Sequence, residues 1–141
     1  MTKLSVKLNF AKMNQDAITL SGTLPVPAGF SATWQSVSVN VGGIVKAFTL
    51  NSKGVTPRGN DIFKLSVKVK RKTVAAQNAV FSASLKKGNF AAALNAFGLT
   101  NATASRATVM IPVTITFNQN LYSKNQSMLY TAKTGKSGAA K

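Results

Sequence analysis

The chain has 141 residues and carries 18 Lys and Arg against 2 Asp and Glu, a formal charge of +16. It contains no His and no Cys, and its only carboxylate side chains are Asp16 and Asp61. Thiol and imidazole catalysis, Cys/His zinc sites, disulfides and Ser-His-Asp triads each lack an essential member. A glycosidase would have to pair these two aspartates, so the expectation is a non-enzymatic protein with no cofactor and no metal.

Apolar residues make up 45% of the chain, too many for a disordered basic tail, and charged residues only 14%, about half the usual share. The chain is acid-poor rather than charge-rich. A surface so one-sided repels itself unless an anion neutralises it. Nucleic acid, an anionic cell surface or polysaccharide, and anionic lipid are the candidate partners. No apolar run reaches the ~20 residues of a membrane-crossing helix. The opening MTKLSVKLNF alternates polar and apolar residues, unlike a signal-peptide core.

The dominant period along the chain is two, the mark of half-buried strands. Thr2 to Phe10 places Leu4, Val6, Leu8 and Phe10 on one face and Lys3, Ser5 and Lys7 on the other. Ala17 to Leu24 reads as a second strand, ended by Pro25, Pro27 and Gly29. A third runs from Gln35 to Val41, turns at Gly42-Gly43, where glycine permits the positive φ of a two-residue hairpin, and returns as Ile44 to Leu50. Asn51 to Asn60 is loop by composition. Ile62 to Arg71 is a fifth strand with Phe63, Leu65, Val67 and Val69 inward. Ala79 to Leu85 is a sixth. Thr108 to Phe117 is a seventh, with Pro112 suggesting an edge or a bulge. After a turn at Asn118 to Asn120, Leu121 to Thr131 is the eighth. One segment breaks the period. Asn89 to Phe97 reads as a short helix with Asn89 as N-cap, Phe90, Leu94 and Phe97 on one stripe, and Gly98 as its stop.

The string KLSVK occurs twice, at 3–7 and at 64–68, an offset of 61. At a similar offset Gln15-Asp16-Ala17-Ile18 faces Gln77-Asn78-Ala79-Val80. This hints at duplication, with halves at about 1–60 and 61–131 and pseudo-equivalent lysine faces. The pieces LSGTLPVPAGF, VNVGGIVKAFTLNSKG, LKKGNFAAALNAFGLTNA, PVTITF and LYTAKTGKSG resemble β-domains found in large exported proteins of environmental bacteria. The resemblance covers most of the chain and implies an exported or cell-surface setting, with no specific site. In that group positions such as Asn40, Asn51 and Asn89 are often acidic, so the acid depletion here departs from it.

Lys64, Lys68 and Lys70 share one strand parity, Arg71 and Lys72 follow, Lys3 and Lys7 make a shorter copy, and Lys86-Lys87 precede the helix. Same-face residues sit about 7 Å apart along a strand, so such a row can track a phosphate backbone. The composition of 15 Lys to 3 Arg favours diffuse point charge over bidentate base readout. Trp34 and Tyr122 are candidates for stacking a base or sugar, although packing on the edge of the core is the commoner fate of such residues. Gly135-Lys136-Ser137 lacks the upstream glycine and following helix of a phosphate loop. Residues 132–141, AKTGKSGAAK, read as a basic mobile tail after a single domain spanning 1–131. Asp16 and Asp61 fit turn-capping positions.

The expectation is an all-β fold: a two-sheet, immunoglobulin-like sandwich of about eight strands with one short helix. Its function is expected to be non-specific binding of an extended polyanion, nucleic acid first, through Lys3, Lys7, Lys64, Lys68, Lys70, Arg71, Lys72, Lys86 and Lys87, together with the tail. The alternative is a self-assembling structural subunit or an adhesion module of an exported bacterial protein.

Overall fold

Alternation of apolar and polar residues makes every strand two-faced, and the apolar faces have one place to go. In the computed structural model, which describes residues 3–141, nine strands turn those faces onto one core. The strands are β1 (Lys3–Asn9), β2 (Asp16–Val26), β3 (Ser36–Val41), β4 (Ile44–Thr49), β5 (Ile62–Ser66), β6 (Gln77–Gly88), β7 (Ala104–Phe117), β8 (Asn120–Lys133) and β9 (Ser137–Ala140), with one helix, α1 (Ala91–Asn95). All neighbours pair antiparallel, in the order β4-β3-β7-β8-β9-β1-β2-β6-β5.

The all-β expectation holds; the two-sheet, immunoglobulin-like arrangement does not emerge from the hydrogen bonding. One continuous sheet curls until its edge strands approach each other. At the β4/β5 seam the chain after β4 lies along β5, with Leu65 N–H donating to Gly54 O at 2.7 Å and Thr56 N–H to Phe63 O at 3.0 Å. The Phe48 and Phe63 rings meet there at 5.7 Å. Lys46 Nζ and Asp61 Oδ2 close to 2.9 Å across the same seam.

The ninth strand is β9, inside the segment expected to be a mobile tail. It fills the space between β8 and β1. Gly138 lies under the fully buried Tyr130, where any Cβ would collide with the phenol ring. The Tyr130 hydroxyl donates to Thr100 O at 2.7 Å. A Gly-Ala strand carries no β-branched signal, yet only small residues fit there.

Two prolines sit within strands rather than ending them. Pro25 lies in β2 opposite Asn78, past the last described β1 partner, Lys3↔Ser21. Pro112 lies in β7, one residue beyond the end of β3, so its missing N–H faces no strand and its carbonyl accepts Gly42 N–H at 2.9 Å.

Read round through the β4/β5 seam and with β9 set aside, the strand order is unchanged when β1–β4 exchange with β5–β8, and the register repeats too. Lys3 pairs Ser21, and 61 positions on Lys64 pairs Ser82. Ser21 pairs Ser82 itself, so a pseudo-dyad passes through that pair. The β3–β4 and β7–β8 hairpins match at an offset of 76, which carries the Gly42-Gly43 turn onto Asn118-Gln119; all four turn residues have positive φ. The larger offset accommodates α1 between β6 and β7.

Asp16 secures that inserted segment. It is 2% exposed, and its carboxylate accepts the N–H groups of Asn9 at 2.8 Å, Phe90 at 2.6 Å and Ala91 at 3.1 Å. Asp16 therefore replaces Asn89, the expected cap, at the helix start. Asn89 precedes Phe90, which occupies the N-cap position and offers no side-chain cap. At the other end Gly98 N–H donates to Asn95 O and Leu99 N–H to Leu94 O, a glycine-terminated stop as expected. Leu94 and Phe97 pack over the Gly42 turn and cover one end of the core.

Two consequences are measurable. Asp16→Ala strands three backbone donors of one carboxylate and should cost about 3 kcal/mol, read as a lower urea midpoint at unchanged slope. Burial raises the Tyr130 phenol above its ordinary 10.0. Its unfolded form then ionises first, so the stability it confers is intact below pH 10 and declines as pH rises above that. The stability difference between the native chain and Tyr130→Phe should therefore be flat at neutral pH and shrink in alkali.

Candidate polyanion interface

The outer face of β1, β2, β6 and β5 is built from the polar half of each alternation. β1 offers Lys3, Ser5 and Lys7, β2 offers Thr19 and Ser21, β6 offers Ser82, Ser84 and Lys86, and β5 offers Ile62 and Lys64. The register aligns Lys3, Ser21, Ser82 and Lys64 in one row across the four strands. With strands about 4.8 Å apart, the two lysine backbones sit roughly 14 Å apart, and Lys3 and Lys7 lie roughly 13 Å apart along β1. The result is a hydroxyl floor flanked by Lys3 and Lys7 on one side and Lys64 on the other, with Lys3 and Lys64 related by the pseudo-dyad.

Two shallow depressions mark this floor. One of 260 Å³ is lined by Lys3, Thr19, Ser21, Ser82, Ser84 and Lys86. A second of 400 Å³ is lined by Lys3, Ser5, Lys7, Thr19, Lys86 and Lys141. The Ser84 hydroxyl is shielded from solvent and has no hydrogen-bond partner. Neither carboxylate pairs with a lysine side chain of this face: Asp16 is buried at the start of α1, and Asp61 pairs with Lys46 while accepting the Lys86 backbone N–H at 3.2 Å.

Sequence parity placed Lys68 and Lys70 on the β5 face and Val69 inward. The structure corrects both. β5 ends at Ser66, and Val69 is 62% exposed. Beyond Ser66 the side chain of Gln77 takes the place of a strand. Its Oε1 accepts Lys68 N–H at 2.9 Å and its Nε2 donates to Lys68 O at 2.9 Å and Ala75 O at 3.1 Å. The chain then turns tightly, with reciprocal bonds between Lys70 and Thr73 and with Arg71 and Lys72 at φ 51 and 65. Two non-glycine cations in the left-handed region carry a conformational cost, and their side chains project from an exposed tip. A groove lined by Lys68, Lys70, Arg71, Thr73, Ala75 and Gln77 runs beside it.

Lys86 and Lys87 are both exposed because β6 bulges there: two residues oppose the single Ala17, and Lys87 takes φ 54. Of the nine expected cations, Lys3, Lys7, Lys64 and Lys86 share the sheet face. Lys87 stands at its rim. Lys68, Lys70, Arg71 and Lys72 form the adjoining hairpin. Lys133, Lys136 and Lys141 sit on or beside β8 and β9, so the expected arm is part of the sheet.

The aromatic candidates lie elsewhere. Trp34 is 81% exposed at φ 62 in the loop between β2 and β3, tied by its N–H to Leu50 O. Tyr122 is half-buried on the inner side of β8 and lines a different cleft, with Leu24 and Phe81. What sequence reasoning missed is the Ser/Thr floor. Its signal was the serine at alternate positions of β1, β2 and β6, which becomes a surface only once the register is known.

Among the described residues no helix is long and apolar enough to cross a membrane. Comparison with protein-family models, with curated proteins and with solved structures finds no match.

Proposed function

We propose that this protein is a non-enzymatic module that binds an extended polyanion without sequence readout, a single-stranded nucleic acid first among the candidates. The strand would lie over the β1-β2-β6-β5 face and continue onto the 68–72 hairpin. The observation that carries this reading is the register-matched pair Lys3 and Lys64, flanking a face that also carries Lys7 and Lys86 and adjoins Lys68, with no acidic side chain paired to any of them among the described residues. Lysine supplies point charge for phosphates and hydroxyls supply neutral hydrogen bonds, a combination that holds a backbone and leaves bases unread. The repeated KLSVK string and the matched register support an internal duplication that set Lys3 and Lys64 on opposite flanks of one face. The resemblance to exported bacterial β-domains makes an anionic cell-surface polymer the next candidate. Self-assembly is less favoured, because each copy brings a formal +16 to its neighbour.

The test is fluorescence anisotropy of a mixed-sequence single-stranded DNA 20-mer across a salt series. Replacing Lys3, Lys7, Lys64 and Lys68 by Gln should weaken binding at least tenfold. It should also reduce the log–log salt slope by about 3, since each phosphate left without its lysine removes roughly 0.7. Replacing Lys53, Lys124, Lys133 and Lys136 by Gln removes the same charge and should change affinity less than about threefold. Equal losses in the two variants, or no binding by the native chain at low salt, would overturn the reading.

A further inference from the structure

The two seams of the curled sheet are pseudo-equivalent but unequally closed. At the β4/β5 seam the positions Phe48 and Leu50 are buried and apolar. Their counterparts on β8, 76 positions on, are Lys124 and Gln126. β9 seals β8 only from Leu129 to Lys133. From Asn120 to Met128, β8 pairs with β7 alone among the described residues.

The alternation of an antiparallel ladder fixes where its free groups point. Leu129 exchanges both backbone bonds with Lys141, on the side away from β7. Leu121, Ser123, Asn125 and Ser127 share its parity in an unbroken register, so their N–H and C=O groups point the same way. That edge borders a 420 Å³ cleft whose floor is core: Leu24, Phe81, Val113 and Ile115. Tyr122 and Lys124 line its β8 side, and nearby on the same inner parity the Gln126 Oε1 is shielded and unpartnered. The slot prolongs the line of β9 past Lys141.

We propose that this slot is a strand-addition site for an extended acidic peptide of another protein, with apolar residues at alternate positions facing the cleft floor and a carboxylate meeting Lys124. Strand addition supplies the backbone partners that the edge lacks, and the alternate side chains give specificity. Charge selects the partner. A second copy brings a formal +16, and its two carboxylates are already committed to helix capping and to Lys46. An acidic segment is complementary both to Lys124 and to the whole molecule. This site is separate from the lysine-flanked face and does not depend on its role.

The probe is an octapeptide alternating Asp and Val, with a Lys/Val octapeptide as counterpart, each added to the full chain and followed by amide hydrogen exchange and calorimetry. The Asp/Val peptide should slow exchange at Leu121, Ser123, Asn125 and Ser127. Lys124→Glu should weaken it about tenfold by charge reversal. The double variant Ser123→Pro and Ser127→Pro removes two edge donors without touching a β7 bond and should abolish it, whereas Lys3→Gln with Lys64→Gln should leave it unchanged. Protection confined to β1, β5 or the 68–72 hairpin, equal protection by the Lys/Val peptide, or self-association of the free chain through β8 would each overturn the proposal.

Discussion

The structure depends on the register of one ladder, the antiparallel pairing of β2 with β6. Ser21 opposes Ser82 at its centre, and from that pair outward each half of the chain lays down the same arrangement. β1 on one side and β5 on the other bring Lys3 and Lys64 to equal distances from the centre. A slip of one residue would set Ser21 against Phe81 on one face, so that either β2 would turn Leu20 to solvent or β6 would turn Phe81 there, because strand side chains alternate strictly. The burial that stabilises the fold therefore also fixes the spacing of the charges on its back.

The scarcity of acids has a structural counterpart. Both carboxylates are spent on structure: Asp16 gathers three backbone donors where β1, β2 and α1 converge, and Asp61 ties β4 to the β5/β6 wing. The Lys46–Asp61 pair is partly exposed and worth at most about 1 kcal/mol, so it marks the seam more than it holds it. Apolar packing and the backbone bonds of residues 54–56 hold it. What remains on the surface is almost entirely cationic or neutral.

Much of the fold was legible because period two is a strong signal. Val37, Val39 and Val41, or Phe63 and Leu65, could face only one way, and the Gly42-Gly43 and Gly98 signals marked a turn and a helix stop. The illegible parts share a cause: they are decided by residues far away in sequence. β9 is specified by the Tyr130 ring it must accommodate, the helix cap comes from Asp16 across 74 positions, and β5 stops where Gln77 substitutes its side chain for a strand. The same holds for the candidate interface. Individual lysines were visible in the sequence, but the Lys3-Ser21-Ser82-Lys64 row required four strands in register. Parity alone also carried Lys70 and Val69 past the end of their strand. The unequal seams were out of reach until the hairpin offset of 76 set Lys124 against Phe48.

The proposed polyanion track separates a face of organised charge from charge spread evenly over the surface. It is tested most directly by mapping backbone amide shifts while titrating a single-stranded DNA oligonucleotide into the labelled protein at low salt. A track calls for shifts concentrated at Lys3–Lys7, Thr19–Ser21, Ile62–Arg71 and Ser82–Lys87. Shifts of equal size around Lys53, Lys124 and Lys136, or none on the β1-β2-β6-β5 face, would contradict it.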